Sequence, residues 1–290
     1  MSGRKRPAAI VSDSGAMLSS RADGALEIVP LTILSEGREF KDGVELAAGD
    51  FYRKLEEGHL PTTSTPSPGS YLEAFHSVGS DEIVCLTIPP GLSAMYEAAT
   101  IARDLLREQG DTRPVHIVDT RTAAAGHGLV VRIAAEMAAR GARASEIIER
   151  IDLSISSVRM FGALTTLEYL ARSGRVPTLV ASVGNLLGVR PVFEMRLGEA
   201  HRVGLARTER RVIHLLAHEA AAHYPRDVQI RLLVFDGASP HVANDLLRVL
   251  SETCAVSIAE RATLTPVMGA YTGPGTIGFA AVVVDDEARA

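Results

Sequence analysis

Cysteine is scarce in this chain of 290 residues, which has only Cys85 and Cys254, far apart and without a C-x-x-C spacing. This pattern excludes a disulfide scaffold and predicts a reducing, cytoplasmic location with both thiols buried. The chain also has little excess charge of either sign, because its formal net charge is only -5, and its 30 basic residues are scattered along the sequence. No nucleic-acid partner is therefore expected.

Export and membrane insertion have little support. Arg4, Lys5 and Arg6 precede an apolar stretch, but Asp13 interrupts it, so we expect no signal peptide. Residues 262–284 carry no charge and are long enough to cross a bilayer. Their two prolines and four glycines would leave backbone groups unpaired in lipid. We expect a strand, a loop and a strand buried in protein, with no integral membrane segment and at most transient contact with a membrane surface.

The first half of the chain alternates short β-type runs with longer helical patterns. The strands are expected at 8–11, 26–34, 83–88 and 115–118, and the helices at 68–75, 92–109, 123–140 and 145–156. Ser67 followed by Pro68 indicates a helix start. This alternation predicts a mostly parallel, Rossmann-like sheet with helices on both faces.

The second half predicts an α/β lobe with a mixed or antiparallel sheet. Thr165 is expected to cap a short helix that ends at Gly174, and Leu197-Gly198 to join two strands in a hairpin. Further helices are expected at 208–223 and 239–250, and further strands at 228–235, 255–258 and 277–284. We place the lobes at residues 1–152 and 153–290.

The usual sequence motifs of catalysis and cofactor binding are absent or out of context. Residues 273–278 match G-x-G-x-x-G, but a β-type run follows them instead of a helix, so no dinucleotide is expected. His214 and His218 lie four residues apart on a predicted helix and could share a metal, but the spacing of five residues from His218 to His223 does not match a zinc motif. Solvated helix histidines are the favoured interpretation. No nucleophile elbow or phosphate-binding P-loop appears. We therefore expect no catalytic residue, no metal and no cofactor.

Hydroxyl-bearing residues recur where strands end and helices begin, at 12–14, 62–67 and Ser93. Such a cluster can hold an anion through O–H and backbone N–H donors. For each residue taken alone, helix capping is the better explanation.

The chain resembles the DegV family of bacterial fatty-acid-binding proteins through an ordered set of short motifs. Asp13-Ser14 is similar to the family's D-S, residues 63–67 to T-S-x-P-S, Leu92-Ser93 with Tyr96 to L-S-G-T-Y, and Asp119-Thr120 with Gly126 and Gly128 to a D-S segment before a glycine-containing helix. Later matches are Tyr169-Leu170 with Gly174-Arg175-Val176, Asn185 to Leu187 with Arg190-Pro191-Val192, Arg207-Thr208, and residues 272–278.

The resemblance implies that one long-chain fatty acid, palmitate-like or oleate-like, lies between the lobes with its acyl tail in the N-terminal lobe. Thr63 and Ser93 would hold the carboxylate, assisted by Ser64, Tyr271 and Gly273. The protein would act as a carrier without its own catalysis.

The family resemblance also implies a partner and a pathway. The carrier would present the carboxylate to a separate fatty acid kinase of the dihydroxyacetone-kinase-like type, which makes an acyl phosphate for phospholipid metabolism. Arg175 and Arg207 match arginines implicated in contact with that kinase or in transfer. A guanidinium can bind a carboxylate or phosphate bidentately, although Arg175 could equally compensate the end of a helix.

Several positions depart from the family pattern. Pro89-Pro90 replaces serines, Ala94 and Met95 replace Gly and Thr, and Tyr271 stands where His is common. A phenol donates a hydrogen bond but is not a cation, which would alter the head-group contacts.

Two other functions fit the sequence. The first is a regulator that senses acyl chains without kinase transfer. The second is a small-molecule hydrolase or phosphatase that uses Asp13, Ser14 and Asp119 at strand ends, where catalytic residues of α/β proteins often lie.

Overall fold

The computed structural model of the chain describes residues 6–183 and 188–284. Its strands are β1 (Arg6–Asp13), β2 (Leu26–Val29), β3 (Thr32–Ser35), β4 (Arg38–Lys41), β5 (Thr62–Ser64), β6 (Ser80–Thr87), β7 (Val115–Asp119), β8 (Arg159–Ala163), β9 (Arg190–Arg196), β10 (Glu199–Ala206), β11 (Gln229–Asp236), β12 (Ala255–Thr263) and β13 (Ile277–Val283).

The helices are α1 (Ala48–Glu56), α2 (Pro68–Ser77), α3 (Met95–Glu108), α4 (Ala124–Ala139), α5 (Ala144–Ser157), α6 (Glu168–Ser173), α7 (Pro177–Val183), α8 (Glu209–His223), α9 (Pro240–Thr253) and α10 (Pro266–Thr272), with a short 3-10 turn at Ser14–Ala16. Asp152 lies within α5, and the strands of the second half begin at Arg159 with β8.

The first sheet has the order β2-β1-β6-β7, and all its neighbours are parallel. Successive side chains of its strands point to opposite faces of the sheet, and helices cover both faces. Ala9 and Val11 of β1 pack with α2 and α3, whereas Ala8 and Ile10 pack with α4 and α5. The predicted parallel sheet with helices on both faces is confirmed.

The second sheet has the order β10-β9-β8-β13-β11-β12. Its neighbours are antiparallel except for β11 and β12, which are parallel. The predicted mixed sheet is confirmed, as is the hairpin at Leu197-Gly198, where both residues have positive φ. Strand β13 lies in the interior of this sheet and pairs with β8 on one side and β11 on the other.

The single strand predicted over 26–34 is wrong. Pro30 follows β2, and the chain then enters β3, which belongs to a small antiparallel sheet of order β4-β3-β5. Proline has no N–H to continue a parallel ladder, so the change of sheet occurs there.

Further differences concern helices and strand ends. No helix is predicted where α1 and α7 lie, and α10 occupies the segment predicted as a loop. Strand β12 continues to Thr263 rather than ending at Ile258. Thr165 does not cap α6, because its hydroxyl donates to the carbonyl of Pro274 at 2.8 Å; the helix begins at Glu168 and ends, as predicted, at Gly174 in the left-handed conformation. The matches at Asn185 to Leu187, and Arg4 and Lys5, lie outside the described residues.

Helix α4 lies between the two larger sheets and packs on β1 from one side and on β11 and β13 from the other. Its first two turns are buried on every side, which agrees with an apolar sequence that lacks a polar stripe there. Gly128 permits close approach, since a Cβ there would stand 2.4 Å from the carbonyl oxygen of Ala16.

An ionic contact joins the end of α4 to the second sheet. Arg231 of β11 donates to both carboxylate oxygens of Glu136 at 2.8 and 2.9 Å and to Glu260 of β12 at 3.2 Å. The Arg231 side chain is only 9% exposed. The fork geometry of this contact fixes the helix against the sheet.

Candidate functional site

An apolar cavity lies between the helices of the first sheet and the second sheet. Residues from both sides of Asp152 line it, including Leu31, Met95, Met160, Phe193, Met195 and Met268. The cavity has a volume of about 100 Å³, and nearly all the side chains that line it are apolar. The cavity therefore has the surface for an apolar ligand.

Two hydroxyl pairs lie at the edge of the apolar cavity. Thr63 of β5 is hydrogen-bonded to the phenol of Tyr271, and Thr65 lies 3.0 Å from the hydroxyl of Ser93. Tyr271 and Ser93 line the cavity themselves. The structure thus brings Thr63, Ser93 and Tyr271 to one place, and adds Thr65.

Strand geometry explains which residues of β5 reach the site. Successive side chains of a strand point to opposite faces. Thr63 and Thr65 are half-buried towards the cavity, whereas Ser64 is exposed. Ser64 therefore lies apart from the hydroxyl pairs. Thr65 was missed as a site residue, although its position two residues after Thr63 is the signal that could have found it.

The turn after β6 positions Ser93. The carbonyl of Pro89 accepts the N–H groups of Leu92, at 2.9 Å, and of Ser93, at 3.3 Å. Helix α3 starts only at Met95, whose side chain is buried and lines the cavity. Of the departures from the family pattern, Met95 thus forms part of the cavity wall, and Pro89 lies in the turn that positions Ser93.

Arg175 covers the ring of Tyr271. Its guanidinium carbon lies 4.6 Å from the ring centroid, a cation–π contact. One of its nitrogens donates to the carbonyl of Ser173 at 3.0 Å, just past the end of α6. Arg175 lines the apolar cavity as well, so a cation stands beside the hydroxyl pairs.

Gly273 and Arg207 lie outside the lining of the apolar cavity. Gly273 ends α10 with φ of 76°, and a Cβ there would stand 2.3 Å from the ring of Tyr169. It shapes the backbone after Tyr271 without lining the apolar cavity. Arg207 is exposed between β10 and α8 and does not line the cavity either.

The three residues of the hydrolase hypothesis lie away from the apolar cavity. Asp13 and Ser14 are buried at the end of β1, and the Ser14 hydroxyl accepts the N–H of Leu31 at 3.1 Å. Burial raises the pKa of Asp13 to about 7. Asp119 accepts the N–H of Arg121 at 2.8 Å. None of the three lines the apolar cavity, which leaves them without access to a ligand there.

A buried histidine lies beside Asp13. Nε2 of His127 is 3.7 Å from a carboxylate oxygen of Asp13 and 3.1 Å from the Ser12 hydroxyl, and Nδ1 is 2.9 Å from the Thr120 hydroxyl. Burial lowers the pKa of His127 to about 3. At neutral pH the imidazole is therefore uncharged, and the contact with Asp13 is not an ion pair.

Residues 6–183 and 188–284 contain no group of His, Cys, Asp or Glu side chains able to hold a metal ion. None of the helices in this part of the chain has the length and apolar character needed to span a bilayer. The G-x-G-x-x-G match follows α10 and leads into β13, the reverse of the strand-to-helix order of a dinucleotide site.

Comparison with known proteins decides the family. The DegV family model matches residues 7–284. The chain belongs to the DegV family. A DegV domain-containing protein of Streptomyces coelicolor is 30% identical over 281 residues, covering 94% of this chain and 97% of the relative. One from Staphylococcus aureus is 26% identical over 93% of this chain and 96% of its own length.

Solved structures of other DegV proteins have the same fold. A DegV family protein from Thermus thermophilus, described for its fatty acid binding, superposes with a TM-score of 0.84 at 27% identity, over 96% of this chain and all of the other. A DegV lipid-binding protein from Thermotoga maritima gives a TM-score of 0.83 at 26% identity, over 96% of this chain and 99% of the other.

Proposed function

We propose that this protein binds one long-chain fatty acid, with its acyl chain in the apolar cavity and its carboxylate at the two hydroxyl pairs. The observation that carries the proposal is the position of Thr63–Tyr271 and Thr65–Ser93 at the edge of an otherwise apolar space. The fatty acid and lipid binding described for the Thermus and Thermotoga proteins supports it.

The hydroxyl pairs suit a carboxylate. When one hydroxyl donates to another, the accepting hydroxyl still has its own hydrogen to donate. Each pair can therefore offer one O–H to a carboxylate oxygen without losing its internal hydrogen bond. Arg175 adds positive charge beside them.

The acyl chain supplies most of the affinity. Each buried methylene contributes about 0.8 kcal/mol, so some fourteen methylenes contribute roughly 11 kcal/mol before the costs of ordering the ligand. The head group then orients the ligand and selects acids over neutral lipids of the same length.

We further propose that the protein is a carrier rather than an enzyme, and that it acts in the cytoplasm in phospholipid metabolism. A separate kinase of the dihydroxyacetone-kinase-like type would act on the bound carboxylate. In that step a carboxylate oxygen bonds to the terminal phosphorus of a nucleoside triphosphate, and the bond to the leaving nucleoside diphosphate breaks. Arg207, exposed and outside the cavity, is proposed as a kinase contact, and Arg175 as the arginine beside the reacting group.

Mass spectrometry of solvent extracts tests the ligand. We expect a near-stoichiometric long-chain fatty acid in the wild type and much less in a Thr63→Val, Ser93→Ala double variant. Ser64→Ala is the matched control, because Ser64 lies on the opposite face of β5, and it should retain the lipid. Failure of the wild type to carry or take up any fatty acid would refute the proposal.

A second measurement separates the head group from the chain. Titrations with palmitate and with the alcohol of equal length should show that the double variant loses affinity for the acid much more than for the alcohol. Met160→Trp, which fills the cavity, should weaken both ligands. In a reconstituted kinase reaction, Arg207→Ala should slow acyl phosphate formation and leave palmitate affinity unchanged.

A further inference from the structure

Asp42 is a buried carboxyl group that belongs to neither hydroxyl pair and does not line the apolar cavity. It follows β4 directly, and only 1% of its surface is exposed. Burying a carboxyl group without hydrogen bonds is costly, so the partners of Asp42 indicate what holds it in the interior.

Asp42 connects two segments that are far apart in the sequence. Its backbone N–H donates to the carbonyl of Leu31, just before β3, at 2.9 Å. Its side chain accepts the N–H of Val267, in the first turn of α10, at 3.0 Å. The N–H groups in the first turn of a helix have no partner within the helix, so they need one from elsewhere. Asp42 thus fastens the start of α10 to the start of β3.

These two segments carry the hydroxyl pair of Thr63 and Tyr271. Thr63 of β5 is paired with Ile33 of β3, and Tyr271 lies about one helical turn after Val267 on α10. A displacement of α10 along β3 would therefore change the distance between the two hydroxyls. Hydrogen bonds weaken steeply outside a narrow range of distance and angle, so a small displacement would separate the pair.

The packing of α10 against α1 does not set this distance as sharply. A Cβ at Gly269 would stand 2.8 Å from ring atoms of Phe51 and Tyr52, so the helix lies close against α1. Apolar packing is non-directional, whereas the hydrogen bond from Val267 to Asp42 fixes both a distance and a direction. Asp42 therefore sets the position of α10 along β3.

We propose that Asp42 is a positioning residue of the head-group site, which holds α10 against β3 so that the Tyr271 phenol and the Thr63 hydroxyl bind the ligand carboxylate together. This inference rests on the proposed function, because it takes the position of the carboxylate from it. Asp42 does not line the apolar cavity, so it acts through Tyr271 and not by contact with the ligand. Its loss should weaken the binding of an acid much more than that of a neutral lipid of equal length.

The ratio of palmitate affinity to hexadecanol affinity, measured by competition titration, tests this role. We expect Asp42→Ala to lower the ratio by about fivefold, as for the loss of one typical hydrogen bond. Asp42→Asn should keep the ratio within about twofold of the wild type, because the amide oxygen still accepts the N–H of Val267. A ratio in Asp42→Asn as low as in Asp42→Ala would overturn the inference, since the acceptor would then not be what matters.

A double-variant cycle shows whether Asp42 acts through Tyr271. In a Tyr271→Phe background, Asp42→Ala should lower the ratio by less than about twofold, because the phenol that Asp42 positions is already gone. A full fivefold loss in that background would mean that Asp42 reaches the ligand by another route, which overturns the inference.

Tyr224→Phe is the matched control for a general loss of stability. It removes a buried hydrogen bond to the carbonyl of Ala281 in β13, and Tyr224 does not line the apolar cavity. This variant should keep the wild-type ratio. A fall equal to that of Asp42→Ala would assign the effect to lost stability and overturn the positioning role.

If Asp42→Ala is too unstable to titrate, Asp42→Ser takes its place with the same expectation, because the shorter side chain cannot reach the N–H of Val267. An unchanged ratio in the variant that folds overturns the positioning role and leaves the proposed function standing. A wild type that binds neither palmitate nor hexadecanol overturns the proposed function, and the positioning role with it.

Discussion

Replacing Asp13 and replacing His127 should change the pH dependence of the free energy of unfolding in opposite directions. Both side chains are fully buried, and burial favours the neutral form of each. The pKa of Asp13 is raised to about 7 and that of His127 is lowered to about 3. Between about pH 4 and 6.5 the folded protein has a neutral acid beside a neutral imidazole, whereas the unfolded chain has both groups charged.

The signs follow from proton counts in the two states. Between about pH 4 and 7 the folded protein holds a proton on Asp13 that the unfolded chain has lost, so this group lowers stability by about 1.4 kcal/mol per pH unit as the pH rises. Between about pH 3 and 6.5 the unfolded chain holds a proton on His127 that the folded protein lacks, so this group raises stability by the same amount. In the wild type the two slopes cancel over most of that range.

Each variant should expose the slope of the remaining group. Relative to the wild type, Asp13→Asn should gain stability with rising pH, by about 4 kcal/mol in all between pH 4 and 7. His127→Gln should lose stability with rising pH over pH 4 to 6.5, by about 3 kcal/mol. Asp42, Tyr71 and Cys85 also face Asp13, but both variants retain them, so their effects largely cancel in the comparison.

Urea unfolding at half-unit intervals from pH 4.5 to 7.5 measures these slopes. Asp152→Asn, at an exposed position in α5, is the control and should parallel the wild type. If Asp13→Asn and His127→Gln also run parallel to the wild type, the pair is charged or hydrated in the folded protein and the reasoning from burial is refuted.

Three further predictions concern stability. Arg231→Ala should lower the free energy of unfolding by about 2 kcal/mol, because it removes charge-assisted hydrogen bonds to Glu136 and leaves Glu260 with Arg132 alone, whereas Arg248→Ala, at a side chain 62% exposed, should change it by less than about 1 kcal/mol. Tyr224→Phe should cost about 1–2 kcal/mol in urea unfolding, since its hydroxyl donates to the carbonyl of Ala281 at 2.7 Å; equal stability would show that water replaces this bond. Gly278→Ala should abolish cooperative unfolding or leave insoluble protein, because its Cβ would stand 2.2 Å from a backbone oxygen of β8.

The larger elements were predictable because local signals and tertiary packing agree. Ser67 caps α2 through the N–H of Ser70, at 3.1 Å, as its position before Pro68 indicated. Helix α10 has the same signal, since Thr265 precedes Pro266 and caps the N–H of Met268. The glycines that follow favoured a loop, yet a Cβ at Gly269 would meet the rings of α1, so packing against that helix decides the outcome.

The site was predictable in part. The resemblance and the hydroxyl pattern indicated Thr63, Ser93 and Tyr271, which the structure brings together. That Thr65, rather than Thr63, pairs with Ser93 depends on how β5 lies against the turn after β6. The contact of Arg175 with the ring of Tyr271 depends on the fold as well, because α6 and α10 meet there only in the tertiary structure.

The interior position of β13 bears on synthesis of the protein at the ribosome. Before residues 277–283 have left the exit tunnel, β8 with its neighbours and β11 with β12 have no strand to join them. Each half then presents an unpaired edge, and such edges invite pairing between chains. The first parallel sheet has all its strands by Asp119. The nascent chain therefore has the strands of its first sheet long before it can close its second, and that interval is when a chaperone would be needed.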